Sequence, residues 1–96
     1  MPNNNLPIDL LNGKIVAPSL FNSVHKHILE RVPYLEECTP YLLKMICDDQ
    51  YWDGLRGLKT QAGWIMTHLV ESELVPFDFA SPRDEKPLWY RLNNRH

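Results

Sequence analysis

Apolar positions in the first half of the chain recur at helical spacing. Phe21, Val24, Ile28 and Val32 fall on one face, flanked by Leu20 and Leu29, while Asn22, Lys26 and Glu30 take the other. Ser19, next to Pro18, is the expected N-cap, and Pro33 ends the segment because it lacks an N–H and disfavours helix at Val32. A second, short helix is expected to start at Thr39-Pro40, a capping residue followed by a proline suited to the first turn. Its apolar face is Tyr41, Leu42, Leu43, Met45 and Ile46, and it ends near Cys47. Residues 48–54 are left as either one more helical turn or a structured loop. A third helix over residues 58–72 puts Leu58, Ala62, Ile65, Met66 and Leu69 on one side with Val70 at the edge. Thr60, Trp64, Thr67 and Glu71 lie opposite, with Gln61 and His68 on one flank.

The period then changes from helical to alternating. Val75, Phe77 and Phe79 alternate with Pro76 and Asp78, and Leu88, Tyr90 and Leu92 alternate with Trp89 and Arg91. Two such runs joined by a polar, proline-bounded loop predict an antiparallel hairpin. Pro76 cannot donate to a ladder, so its strand is expected at an edge or with its N side facing outward. Ahead of the first helix, residues 1–18 form an arm. Met1 to Asn5 are expected to be mobile, but Ile8, Leu10, Leu11, Ile15 and Val16 are too apolar for a free tail. The arm is expected to pack on the domain or on a second copy of the chain, which would make it a homodimer contact. Asn12-Gly13 marks a tight turn within it.

The 96 residues allow one domain, and 44% apolar content supports a single thin core. No apolar stretch approaches a membrane span, and the N-terminus lacks the pattern of a secretory signal, so a cytoplasmic protein without a membrane partner is expected. Of the two cysteines, Cys47 ends an apolar run and reads as a buried small hydrophobe, while a Cys38–Cys47 disulfide is open but not required. The net charge of −2 hides an asymmetry. Residues 1–55 hold four Lys/Arg against seven Asp/Glu, and residues 56–96 hold six against five. An anionic partner is therefore expected on the second half.

Three helices followed by a hairpin, with the run Thr60-Gln61-Ala62-Gly63-Trp64-Ile65-Met66-Thr67-His68-Leu69-Val70-Glu71-Ser72-Glu73-Leu74-Val75, resemble the winged helix-turn-helix superfamily. Members often carry Thr, then Leu, then Gly-Leu-Val ahead of the wing. Glu73 stands where the family often has Gly, which is cheapest in a left-handed conformation, so the helix exit is expected to differ in detail. The resemblance spans roughly residues 19–92. It implies a mainly α fold with a small β-hairpin: a three-helix winged-helix domain over 19–96 behind an arm over 1–18. In such proteins the third helix enters the major groove and the wing, here Ser81-Pro82-Arg83-Asp84-Glu85-Lys86, touches backbone or minor groove.

The candidate contacts with double-stranded DNA follow from that placement. Arg56 and Lys59 sit at the start of the third helix, where free amides and the dipole favour phosphate. Thr60, Gln61, Trp64, Thr67 and His68 lie where side chains can reach base edges or phosphates, and Arg83 and Lys86 lie in the wing. Arg91 and Arg95 lie in or after the last strand. Against this, the exposed face of the third helix bears no Arg or Lys past its first turn, and Glu71, Asp84 and Glu85 offset the charge. Trp64 on that face is either covered by the arm or a contact residue, since exposed Trp is enriched at protein hot spots. Trp52 is expected to plug the gap between the second and third helices, and Trp89 to flank the sheet. Two readings follow: a small DNA-binding transcriptional regulator, or an interaction module, adaptor or inhibitor that docks a protein partner through Trp64 without binding DNA.

No catalytic role, metal or cofactor is expected. His25 and His27 face different ways, no Cys-x-x-Cys or His-x-x-x-His occurs, and Glu36-Glu37 and Asp48-Asp49 are adjacent acids at loops or helix ends. There is no glycine-rich phosphate loop and no serine in a nucleophile elbow.

Overall fold

A computed structural model describes residues 6–93; the expected mobility of Met1 to Asn5 and the position of Arg95 lie outside them. Helices and two small antiparallel sheets share one core. Helix α1 (Pro18–Arg31) begins on Ala17, which is extended, with Pro18 at the first helical position. Ser19 therefore lies inside the helix and is not its cap. Proline's preset φ and missing N–H suit that first position, which moves the cap from Ser19 to Ala17 and the start two residues earlier than the Ser19 signal suggests. Val24 and Ile28 bury fully and face helix α4 (Lys59–Glu71).

The segment expected to open the second helix is a strand. Pro40–Tyr41 forms β3, which pairs antiparallel with β5 (Tyr90–Leu92) in the register Pro40↔Arg91 and Tyr41↔Tyr90. β5 is central and β4 (Phe77–Phe79) pairs on its other side, so β3 and β4 are the edges. An edge tolerates Pro40 because one side of the strand needs no donor, and the same logic admits Pro76 just before β4. The capping preference of Thr39 lost to a sheet that closes only through residues far along the chain.

The second helical unit starts later and is split. α2 (Leu43–Ile46) is followed by α3 (Asp49–Leu55), with Asp48 capping the second piece: its carboxylate accepts the Gln50 N–H at 3.1 Å. Of residues 48–54, Asp48 is thus the cap and the rest are helical. A single 3₁₀ turn over Arg56–Leu58 joins α3 to α4. Arg56 enters it at φ 51°, a left-handed conformation costly for a residue with a Cβ. The three-residue turn also rotates Leu58 out of the expected stripe, leaving it 41% exposed. The rest of the stripe holds: Ala62, Ile65, Met66, Leu69 and Val70 are buried. Each large one contributes roughly 1.5–3 kcal/mol by leaving water.

α4 ends on a left-handed residue. Glu73 has φ 57°, the Leu74 N–H donates to the Leu69 carbonyl at 2.9 Å, and the Glu73 N–H donates to the Val70 carbonyl at 3.2 Å. This pair of bonds is a Schellman exit, made here with glutamate where glycine is usual. The expected change at the helix exit does not occur.

The arm folds back on the same chain. β1 (Ile8–Asp9) and β2 (Ile15–Val16) pair in the register Ile8↔Val16, around a turn where Gly13 has φ 82° and the Asn12 side chain accepts the Lys14 N–H at 3.0 Å. Leu10 and Val16 enter the core, and the Leu11 N–H donates to His68 Nδ1 at 3.0 Å. A two-stranded ribbon has two faces and buries one. Leu11 (64% exposed) and Ile15 (59%) lie outward, contrary to the expectation for the whole apolar set.

Other cross-links join α1 to its neighbours. His27 stacks on Tyr51 with centroids 3.8 Å apart and accepts the Asp48 N–H at Nε2 (3.0 Å). The Tyr51 hydroxyl meets Ser23 Oγ at 2.8 Å. His25 Nε2 donates to the Leu74 carbonyl at 3.0 Å. The two histidines serve different contacts, as their spacing implies. Cys47 is buried and Cys38 is exposed at φ 64°; both are free.

Candidate functional site

Helix α4 displays Lys59, Thr60, Gly63, Trp64 and Thr67 toward one side, at steps of one, three and four residues that keep them on one face. Two loops rise beside that face. One is the β1–β2 turn, which carries Asn12 and Lys14. The other is the connection over residues 80–89 between β4 and β5, which carries Arg83, Lys86, Pro87 and Leu88. Between them lies an open groove of about 600 Å³ whose floor includes Leu43, Trp52, Trp64 and Tyr90.

The β4–β5 connection is braced at its base. The Ala80 N–H donates to the Trp89 carbonyl at 2.8 Å, and the Trp89 N–H donates to Ser81 Oγ at 3.1 Å. Arg83 lies 4.8 Å from the Phe79 ring centroid, and its guanidinium pairs with the Glu71 carboxylate at 2.6 Å. Glu71, expected to oppose an anion on this face, is thereby engaged in orienting Arg83. The pair is partly exposed and its contribution to stability is small.

Both indoles on the floor are covered by lysine. The Lys14 ammonium lies 5.2 Å from the Trp64 ring centroid, and the Lys59 ammonium lies 5.4 Å from that of Trp52. Each contact is a cation–π interaction worth about 0.5–1 kcal/mol at such a surface. Trp64 is half-buried: its inner edge packs on the core and the arm's turn overhangs it through Lys14. Trp52 also packs on the core while it lines the groove, so it is more than the plug expected of it. Thr67 donates to the Gly63 carbonyl at 3.1 Å, and burial raises the pKa of the Tyr90 hydroxyl above its usual value.

The groove thus brings together Lys59, Thr60, Trp64, Thr67, Arg83 and Lys86 of the candidate residues. It adds Lys14, for which the local sequence carries no sign beyond the apolar character of the arm. Among its lining residues are four cations and no carboxylate; Asp84 and Glu85 are not in the lining. Three candidates fall elsewhere. Arg56 is exposed on the turn before α4 and Gln61 is half-buried, neither lining the groove. His68 faces the arm: its Nδ1 accepts the Leu11 N–H, and its ring meets Phe21 edge-on at 5.6 Å. Its Nδ1 is thus engaged by the arm's backbone, and His68 does not line the groove.

A second hollow of about 310 Å³ lies at the exit of α4, around Leu74, Val75 and Pro76. Among the described residues no group of three or more His, Cys, Asp or Glu is placed to hold a metal ion, and no helix is long and apolar enough to cross a membrane. Comparison with protein-family models, with curated proteins and with solved structures finds no match.

Proposed function

We propose that the chain is a winged-helix protein that binds double-stranded DNA, with α4 as the recognition helix, the residue 80–89 loop as the wing, and transcriptional control as its use. The element order supports the fold reading: one helix, an edge strand, a second helical unit, a third helix, then two strands in the order β3-β5-β4. The single observation that carries the function is the charge of the groove beside α4, lined by Lys14, Lys59, Arg83 and Lys86 and by no acid. Phosphate affinity rests on such cations through counterion release. Counted along the sequence, Glu71, Asp84 and Glu85 cancel the wing and helix charge. In three dimensions Glu71 offsets Arg83 alone, while Asp84 and Glu85 leave the lining, so the positive charge of the groove is carried chiefly by Lys14, Lys59 and Lys86. Thr60 and Thr67, with Asn12 and Tyr90, are neutral hydrogen-bonding residues beside those cations.

The test is anisotropy of a labelled random-sequence duplex at low and moderate salt, with Arg56→Ala/Lys59→Ala alongside. Micromolar binding that weakens steeply with salt and with the double variant is expected. Absence of binding at low salt would overturn the reading.

A second reading has one observation in its favour, the apolar floor formed by Leu43, Trp52, Trp64, Leu88 and Tyr90. Such a floor suits a protein anchor, and the domain would then be a docking module that binds no DNA. Loss of partner capture in Trp64→Ala with the fold intact, together with no duplex binding, is the result that would favour it.

A further inference from the structure

The groove has a property that duplex binding does not use. The bases of a duplex are stacked inside a convex rod and present only their edges in the grooves. A helix face can meet those edges, but the faces of stacked bases are not available to an indole. Here the floor carries two indoles, and what covers each ring is a lysine ammonium on a flexible stem. A lysine can leave the ring for a phosphate oxygen while a flat, neutral ring takes its place on the indole.

We infer that this groove is a site for unpaired nucleotides of a single DNA strand, with bases stacked on Trp64 and Trp52 and phosphates held by Lys14, Lys59, Arg83 and Lys86. Several properties converge on that ligand. The four lining cations, of which Arg83 is paired with Glu71, leave an excess of positive charge that selects an anion and rejects a cationic ligand. The aromatic floor gains nothing from a bare phosphate but binds a planar ring, and stacking together with a cationic track is how sequence-tolerant single-strand sites work. The volume of about 600 Å³ lies in the range of sites that enclose a group of nucleotide size. The groove is open, so a strand can enter and leave along it.

This inference extends the duplex reading and shares Lys59, Arg83 and Lys86 with it, but it has its own readout. The probe is a twelve-residue oligothymidylate titrated into the full chain, followed by tryptophan fluorescence and by competition against a labelled copy. Its comparators are a duplex of equal length, an abasic oligonucleotide of equal charge, and a polyglutamate peptide. Expected are quenching of tryptophan emission, tighter binding of the oligothymidylate than of the abasic strand by about tenfold, and weak competition by polyglutamate. Trp64→Leu should weaken oligothymidylate binding by a similar factor while changing binding of the abasic strand, which has no base to stack, little. Trp52→Leu repeats the test should Trp64→Leu fail to fold. An abasic strand that binds as well as oligothymidylate would overturn the inference, since charge alone would then explain binding. Equal competition by polyglutamate would overturn it in favour of an acidic peptide. Duplex binding without oligothymidylate binding would refute the inference and spare the duplex reading; the reverse result would refute only the duplex reading.

Discussion

The Lys14 ammonium sits 5.2 Å from the centre of the Trp64 ring, and this one contact joins the N-terminal arm to the outward face of α4. It resolves the fate of a large aromatic that helical geometry directs away from the core. Trp64 packs on the core and is overhung by its own chain through the Lys14 ammonium. The arm is therefore part of the groove's wall, and Lys14 belongs with the cations of α4 and the β4–β5 loop.

The arm is fastened by the bond from the Leu11 N–H to His68 Nδ1. Replacing His68 with Phe keeps an aromatic beside Phe21 but removes the acceptor. Leu11 is exposed, so water can replace the lost partner and the cost in stability is below about 1 kcal/mol. Hydrogen exchange should show faster exchange at the Leu11 amide, and at the Leu10 and Gly13 amides of the adjoining turn, with α4 unchanged. Unaltered exchange at all three would mean the His68 bond does not hold the arm.

Glu73 makes a left-handed helix exit without glycine. Glu73→Gly removes a Cβ penalty of about 1–2 kcal/mol and restores part of it through unfolded-state entropy. A net gain near 1 kcal/mol raises the melting temperature by roughly 4–8 °C in a domain of this size. Glu73→Ala should give no such gain. Equal melting temperatures for the glycine and alanine variants would argue against the left-handed exit.

Burial against Tyr51, and then the nearby Arg31 charge, lower the His27 pKa from its usual 6.5. The unfolded chain then binds a proton where the folded chain does not, so the stability tied to neutral His27 is present above about pH 6.5 and drains as pH falls through that value. Protonation also ends the ability of Nε2 to accept the Asp48 N–H. His27→Gln retains an acceptor without titrating, and its melting temperature should fall less than that of the wild type between about pH 7 and pH 5. Parallel pH profiles would contradict this.

The two thiols should react very differently. Burial pushes the Cys47 thiol up to about 12, whereas Cys38 is exposed. A disulfide-exchange reagent at neutral pH is expected to modify one thiol per native chain and both only after denaturation. Prompt reaction of both in the native state would show that the α2 end opens readily.

Local pattern was a good guide where one helix face or one strand determines the answer. The stripe from Ala62 to Leu69 and the alternation through Phe77 and Tyr90 were legible because burial imposes the period directly. Thr39-Pro40 misled because the decisive partner of Pro40 is Arg91, at the far end of the chain. Lys14 was hidden for a similar reason: a cation after an Asn-Gly turn has no local sign that it lies over Trp64. Arg56 and Leu58 were misplaced by a 3₁₀ turn with a left-handed arginine at its entry, which shifts the helical phase just where the candidate site begins. The spacing of Glu71 and Arg83 along the chain gives no sign that the two form an ion pair, which sets Glu71 against one wing cation and leaves Lys14, Lys59 and Lys86 to the groove.

The measurement that tests the central claim most directly is the salt dependence of duplex binding for the wild type and for Lys14→Ala/Lys59→Ala/Lys86→Ala. If the groove's four cations meet phosphates, log K for the wild type should fall with log salt at a slope of about −3 to −4, and the triple variant's slope should shrink to about −1. A wild-type slope near zero, or a triple variant that binds with the same slope as the wild type, would contradict the account.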